Sequence, residues 1–429
     1  MPLDVKRDEL TVHQEKAVLV SVALPHRPWM NNDPLDELRG LATTAGALVV
    51  GELTQKRPDV IPASYIGQGK LEELTGLVQS SDADVVIFDN DLTPAQVRNL
   101  EKATNVKVLD RSELILDIFA TRARTVESRL QVELAQLEYS LPRLRKMWTH
   151  LSRQTGGGIG LRGPGETQLE EDRRLVDARI RDLKQRLVEV QARKEREVST
   201  RREEHTVSLV GYTNAGKSTL MNALTGAGVL AEDRLFSTLD TRTRQWHLKD
   251  WGKVLLSDTV GFIRDLPHHL VASFEATLAE TKQARLLLHV VDASNPHAEE
   301  QIESVKRVLK EIGCDEKPTI LVLNKIDRVS DPTEVSILQN KHPRSVAVSA
   351  YRKQGLNELS AAVIAALSAD FAEAEIVTDV SNGKVLAFLN AHAEIFRQEY
   401  HDNRVSIACY LPRQLLHHIQ GPDVQVRFV

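Results

Sequence analysis

The chain has 429 residues, 27% charged and 41% hydrophobic, with a formal net charge of −5; this is a globular composition, too long for one core and enough for roughly two to four domains. The net acidity excludes a chain that is basic throughout, so any nucleic-acid contact must be local. Cys314 and Cys409 make no CxxC, which excludes a disulfide framework and points to the reducing cytoplasm; the charged start and the lack of an apolar run near the roughly 20 residues of a bilayer span predict neither export nor insertion.

From 16 to 120, short apolar runs alternate with helix-like ones: KAVLVSVAL, PLDELRGLATTAG, ALVVGEL, GKLEELTGLVQ, ADVVIFD, PAQVRNLEKA and VKVLD. Strands separated by helices of about a dozen residues predict an N-terminal α/β domain, 1–120, with a largely parallel sheet. The period then changes. Val126, Leu130, Leu134, Leu137, Leu141 and Leu144 recur at steps of three and four, and so do Val176, Ile180, Leu183, Leu187 and Val190. Each run predicts an amphipathic helix with a narrow apolar stripe. Between them lies GGGIGLRGPGETQLEE, 156–171, glycine-rich like a phosphate loop but without the lysine such a loop needs. Its six glycines and one proline are expected to continue neither helix, so 121–204 predicts an antiparallel helical hairpin with this stretch at its tip. Arms of about 25 residues would place the tip roughly 35–40 Å out.

The alternation returns with TVSLVG, VLLSD, RLLLHVVD, PTILVLN and SVAVS, predicting a second α/β domain over 205–372 with a mostly parallel sheet. The last segment, 373–429, predicts a small α/β appendage: helix-like GKVLAFLNAHAEIFRQEY, strand-like VSIACYL, a short helix-like PRQLLHHI and strand-like VQVRFV.

Within 205–372 an apolar strand runs directly into GYTNAGKST, 211–219, followed by helix-like TLMNALTG. That context makes G-x-x-x-x-G-K-[ST] a phosphate loop. Gly211 and Gly216 allow a tight turn whose N–H groups, through Tyr212, Thr213, Asn214, Ala215 and on to Thr219, can cradle phosphates. Lys217 brings a point charge to the β- and γ-phosphates, and Ser218 a hydroxyl for Mg²⁺. Downstream, DTVG ends an apolar strand: Asp258 can hold Mg²⁺ through water and Gly261 can offer its N–H to the γ-phosphate, with Thr259 and Val260 between them. A carboxylate at a strand end is more often a helix cap or turn residue, but its place after Lys217 favours the functional role.

NKID, 324–327, follows TILVL. Asp327 can accept hydrogen bonds from N1–H and the 2-amino group of guanine, a donor pair adenine lacks, while Asn324, Lys325 and Ile326 brace the base pocket. ATP would leave that carboxylate partly unpaired, which gives strong discrimination. VSA, 348–350, places backbone N–H groups of Ser349 and Ala350 near guanine O6, with Tyr351 next in line. Four motifs in this order point to guanine nucleotide binding, GTP and GDP.

Between the first two motifs lies LFSTLDTRTRQ, 235–245. A switch segment needs a threonine that ligates Mg²⁺ and senses the γ-phosphate; Thr238, Thr241 and Thr243 compete, an edge strand explains the alternation after 241, and Thr238, flanked by Phe236, Ser237, Leu239 and Asp240, is the choice. After DTVG stands Phe262, which cannot orient an attacking water as a glutamine does. Either a partner completes the site or another group acts. Asn214 is a candidate to help hold a monovalent cation, K⁺, against the phosphates; the competing reading is that it only braces the loop. The catalytic candidates are thus Lys217, Thr238, Gly261 and Asn214, and the metal ligands Ser218 and Thr238.

ASYIGQGK, DNDLTPAQVRNLE, VLDRSELILDIFATRARTVESRLQVELAQLEYSLPRL, GGGIGLRGPGETQLEEDRR and the GTPase motifs with DTVGF together resemble the HflX family of ribosome-associated GTPases over roughly 16–370. LDTRTR departs from it, since a proline is expected after LD; the family's Mg²⁺-ligating threonine maps onto Thr238. The resemblance implies a cytoplasmic, monomeric, ribosome-stimulated GTPase that binds the large ribosomal subunit and dissociates stalled or idle ribosomes. The hairpin tip would approach ribosomal RNA, with Arg153, Gly156, Gly157, Gly158 and Arg162 as contacts among flanking arginines. Without the resemblance, those arginines read more simply as solvated helix faces paired with Glu166, Glu170, Glu171 and Asp172. A GTP-dependent large-subunit assembly factor and a non-catalytic GTP switch that recruits a partner are the competing functions.

Overall fold

In a computed structural model of the chain, the structure describes residues 15–25, 27–29, 33–154, 164–199, 205–226, 235–236, 238–249, 251–264, 280–368, 371–401, 403–412, 419 and 424–428; the side chains of 142–172, 191, 194–199, 371, 391, 392, 394, 412 and 428 are outside that description. The chain forms two compact units. The first takes in the described residues of Met1–Lys194 and of Glu232–Asp240, the second those of Glu195–Ala231, Thr241–Arg264 and Thr277–Val429.

The first unit holds a parallel sheet of order β2-β1-β3-β4, from β1 (Lys16–Ala23), β2 (Leu48–Lys56), β3 (Val85–Phe88) and β4 (Lys107–Asp110). β1 and β3 are apolar on nearly every residue because helices cover a parallel sheet on both faces. The connecting helices are α1 (Asp36–Ala45), α2 (Gln68–Ser81) and α3 (Pro94–Thr104). α3 starts where it does because Thr93 and Gln96 form a capping box with Pro94 in the first turn. A helix that periodicity did not single out, α4 (Arg111–Arg122), follows β4 directly, with Asp110 accepting the Glu113 N–H.

The hairpin helices are α5 (Val126–Gln154) and α6 (Pro164–Ser199). Leu134, Ile180 and Leu183 are buried between them, with Leu130, Leu137, Leu141, Val176 and Leu187 packed alongside. The arms are longer than expected, 29 and 36 residues, or roughly 43 and 54 Å. One boundary also differs: Pro164 and Gly165, expected in the connecting tip, belong to the first turn of α6, where proline has no helical N–H bond to lose.

The second unit contains a six-stranded sheet of order β10-β9-β8-β5-β7-β6. Its parallel members are β5 (His205–Gly211), β7 (Gly252–Asp258), β8 (Leu286–Asp292), β9 (Thr319–Asn324) and β10 (Ser345–Ala347). β6 (Arg242–Leu248) is the antiparallel edge. Helices α7 (Lys217–Thr225), α8 (Ala298–Glu311), α9 (Pro332–Lys341) and α10 (Leu356–Ser368) complete the layer structure.

The C-terminal segment folds as an antiparallel sheet of order β12-β13-β11-β14, made of β11 (Phe371–Asp379), β12 (Glu394–His401), β13 (Arg404–Pro412) and β14 (Gln425–Phe428), with α11 (Gly383–His392). Two expectations are corrected here. The helix-like run 383–400 is helical only to His392; Ala393 turns extended and Glu394–His401 pairs along β13. β11 had not been anticipated, although Ala372, Ala374, Ile376 and Thr378 alternate inward. Most of PRQLLHHI lies outside the described residues.

Candidate nucleotide-binding site

The carboxyl ends of β5, β7 and β9 bring the motif residues together. Gly211 ends β5 at φ 150°, and a Cβ there would stand 2.2 Å from the Val290 carbonyl oxygen. Gly216, at φ 91°, would collide with Asn324 Nδ2 at 2.4 Å. Only glycine fits either position. Asn214 takes the left-handed conformation at φ 58°, which asparagine tolerates. Lys217 Nζ donates to the carbonyls of Gly211 and Tyr212 at 3.1 and 2.9 Å. Burial pushes its pKa down to about 8, with Asp258 opposing the shift.

Ser218 Oγ donates to Asp258 Oδ2 at 2.6 Å, and both residues are buried. Asp258 is set by the end of β7, one strand over from the loop. Thr259 Oγ1 donates to the Leu209 carbonyl at 2.7 Å, fastening the turn after β7 back onto β5. Gly261 is pressed on the loop: a Cβ would lie 2.7 Å from Thr213 Cα and 2.9 Å from Lys217 Nζ. Phe262 N–H donates to Gly211 O, and Thr213 N–H to Phe262 O, while the Phe262 side chain is 3% exposed. The phenylalanine at the water-orienting position therefore belongs to the core. The Arg264 N–H adds a bond to Tyr212 Oη at 2.7 Å.

At the base end, Asn324 Nδ2 donates to Ala215 O at 2.9 Å and its Oδ1 accepts the Ala350 N–H at 3.0 Å, tying three motifs through one amide. Lys325 sits at φ 63°, and its Nζ bonds Asp292 Oδ2 at 2.7 Å. Ile326 N–H donates to Val348 O, and Asp327 lies in a short 3₁₀ turn, Ile326–Arg328. Ser349 Oγ donates to Asp327 Oδ1 at 2.5 Å. Tyr351 is 84% exposed, at the rim. Two residues outside the expected list enter here: Asp292 as the partner of Lys325, and Arg264 through its backbone. Asp292 ends a strand whose apolar run is legible, but nothing local marks a carboxylate there as a lysine partner.

Phe236, Thr238, Leu239 and Asp240 belong to the first compact unit, whereas the phosphate loop belongs to the second. Of the competing threonines, Thr243 is taken up in β6, its Oγ1 donating to Glu280 at 3.1 Å. Ser237, Gly156, Gly157, Gly158 and Arg162 lie outside the described residues; Arg153 is in α5, with its side chain outside the description.

Three family models match in series: a GTP-binding GTPase N-terminal region over 32–120, a GTP-binding GTPase middle region over 122–201, and a 50S ribosome-binding GTPase over 206–325. The GTPase HflX of Caldanaerobacter subterraneus subsp. tengcongensis is 44% identical over 405 residues, covering 93% of this chain and 92% of its own. This chain belongs to the HflX family of GTPases. The Escherichia coli K12 GTPase HflX is 48% identical over 362 residues, 84% of each chain. Among solved structures, the complex of SsGBP with GDP is similar at 25% identity, covering 81% of this chain and 97% of that one with a TM-score of 0.47. As an HflX-family member the protein is a P-loop enzyme that binds GTP and hydrolyses it, so the non-catalytic switch kept open by Phe262 is set aside. P-loop GTPases generally use Mg²⁺, and the buried oxygen atoms of Ser218 and Asp258, 2.6 Å apart, are donors of the kind that suit such a hard cation. Among the described residues no helix is long and apolar enough to cross a membrane.

Proposed function

We propose that the protein is a ribosome-associated GTPase that binds the large ribosomal subunit and separates stalled or idle ribosomes, its hydrolysis being stimulated by the ribosome. The observation that carries this reading is the hairpin: two helices of 29 and 36 residues packed through a continuous apolar stripe form an arm that nucleotide chemistry alone has no use for. The description of the 206–325 family model as a 50S ribosome-binding GTPase supports the same partner. Under this reading the four parts are 1–120, 121–204, 205–372 and 373–429, and the molecule works as a cytoplasmic monomer with the tip, through Arg153, Gly156, Gly157, Gly158 and Arg162, against ribosomal RNA.

Within the site, the N–H groups of 211–219 and the Lys217 ammonium would hold the phosphates; Ser218 and, from its place in the sequence, Thr238 would hold Mg²⁺, with Asp258 acting through water; the Gly261 N–H would meet the γ-phosphate. When bound, the ion neutralises charge on the β- and γ-oxygens. Asn324 and Lys325 wall the base, and Asp327 reads its edge. Because Phe262 is buried and cannot orient water, the intrinsic reaction is slow and the missing group comes from the ribosome. Asn214, in its left-handed position in the loop, is the residue that would support K⁺.

Sedimentation of purified mature ribosomes with the protein and GTP tests the proposal. Conversion to subunits is the expected result. Intact ribosomes, together with selective binding to immature large-subunit particles, would replace splitting by an assembly role.

A further inference from the structure

The switch segment is fastened to the root of the hairpin. Between α4 and α5 the chain passes Ala123, whose N–H closes α4 on the Phe119 carbonyl, and then Arg124 and Thr125, whose N–H groups precede the first helical turn of α5 and find no carbonyl within it. Asp240 Oδ2 accepts the Arg124 and Thr125 N–H groups at 3.2 and 3.3 Å, and its Oδ1 accepts the Thr125 hydroxyl at 2.7 Å. Thr125 Oγ1 in turn accepts the Ser128 N–H at 3.1 Å. One carboxylate thus completes the start of α5, where negative charge is favoured.

Two further contacts hold the same segment. Phe236 is 1% exposed and meets Phe119 of α4 edge-on, with ring centroids 4.7 Å apart. Leu235 lies over Gly40 of α1, where a Cβ would come within 3.0 Å of Leu235 Cδ1. Thr238 and Leu239, between the anchors, are 5% and 2% exposed. Farther along α5, Tyr139 Oη donates to the Asp110 carboxylate at 2.5 Å. Along its length α5 is held by its buried residues Gln131, Val132 and Ala135 and by Tyr139 on Asp110, whereas the backbone just before its first turn is held by Asp240.

We infer that Asp240 is a positioning residue that couples the nucleotide state to the hairpin, holding the first turn of α5 while GTP is bound and loosening it after hydrolysis. The inference rests on the reading of Thr238 as the γ-phosphate sensor. A switch segment is ordered by its γ-phosphate contacts and released when they go. Thr238 and Asp240 are two residues apart, at most about 7 Å of extended chain, so ordering one orders the other. With Asp240 released, the first turn of α5 loosens while the helix beyond it stays held by Gln131, Val132, Ala135 and Tyr139–Asp110.

The test is hydrogen exchange at the Arg124 and Thr125 amides of the full chain, loaded with GDP or with a non-hydrolysable GTP analogue, for wild type, Asp240→Ala and Asp240→Asn. The wild type should be more protected with the analogue. Asp240→Ala should exchange about fivefold faster with the analogue, the loss expected of a helix cap of about 1 kcal/mol, and lose the difference between nucleotides. Asn, itself a good cap, should restore part of it. GTP turnover should fall in Asp240→Ala while GDP affinity, which does not use the γ-phosphate sensor, stays within about twofold. Equal protection in both nucleotide states of the wild type would make Asp240 a static cap and overturn the inference. Thr238→Ala is measured alongside: if it leaves GTP hydrolysis intact, the sensor reading itself fails, whereas a dead Thr238→Ala with nucleotide-independent exchange sinks the coupling alone.

Discussion

Ser349 Oγ donates a 2.5 Å hydrogen bond to Asp327 Oδ1, so the side chain of one base motif aims the carboxylate of another before any nucleotide arrives. The Asp327 carboxylate gives one lone pair to Ser349, and under the proposed function its remaining lone pairs meet the guanine edge. Ser349→Ala should therefore weaken GDP and GTP binding by about 1–2 kcal/mol, roughly five- to thirtyfold in Kd, without unfolding the domain. Asp327→Asn should move preference towards xanthine nucleotides, which carry an acceptor where guanine carries its amino group. Competition binding with GDP and XDP measures both, and unchanged guanine selectivity in Asp327→Asn would refute the assignment.

Lys325 is held at φ 63° with its ammonium on Asp292, whose other oxygen accepts the Ser294 N–H and hydroxyl. Asp292→Ala frees the lysine stem that walls the base under the proposed function. Because this contact does not distinguish one purine from another, affinity for GDP and IDP should fall in equal proportion, with turnover at saturating GTP preserved. A loss confined to guanine nucleotides would show that Asp292 acts through Asp327 instead.

Gly216 leaves no room for a side chain beside Asn324 Nδ2. Gly216→Ala should push that amide off Ala215 and Ala350 together, abolishing measurable nucleotide binding. Lys217→Ala should lose nucleotide-dependent activity while the fold survives, since its ammonium bonds only loop carbonyls among the described contacts and its burial is a cost. Thermal melts separate the outcomes: an unfolded Lys217→Ala would make that lysine a structural residue.

Two buried histidines predict that the second unit loses stability in acid. Burial pushes His289 from 6.5 to about 3, helped by Lys306, Lys217 and His342, and pushes His205 to about 4, helped by Arg285. Both folded values lie below the unfolded one, so the stability they contribute is complete above 6.5 and is lost as pH falls towards those folded values. The slope is about 1.4 kcal/mol per pH unit for each proton taken up on unfolding. Urea midpoints in mildly acidic buffers should fall for the wild type and fall less steeply in His289→Leu, where His205 remains. A parallel decline in that variant would assign the sensitivity to other groups.

The sequence made the nucleotide site legible because each motif is a local pattern at the end of an apolar strand, as Gly211 on β5 and Asn324 on β9 illustrate. The hairpin stripe was equally plain, since Leu134 and Leu183 sit at helical spacing and meet. What stayed hidden depends on partners distant in the chain. Asp292 and Lys325 are 33 residues apart, and Asp240 meets Thr125 across 115. β12 was mistaken for helix because EIFRQEY carries good helix formers, and only its pairing with β13 decides otherwise.

Under the proposed function the ribosome supplies what Phe262 cannot, and it acts through the glycine-rich segment between α5 and α6. The most direct measurement is GTP turnover by the full chain with and without purified large ribosomal subunits, repeated for a variant with Gly156, Gly157 and Gly158 replaced by bulkier residues and for Arg153→Glu with Arg162→Glu. Turnover should be slow alone and rise steeply with subunits for the wild type; the tip variants should keep the slow rate and lose the rise, with binding less sensitive to salt once the arginines are gone. Subunit-independent turnover in the wild type, or full stimulation of the tip variants, would contradict it.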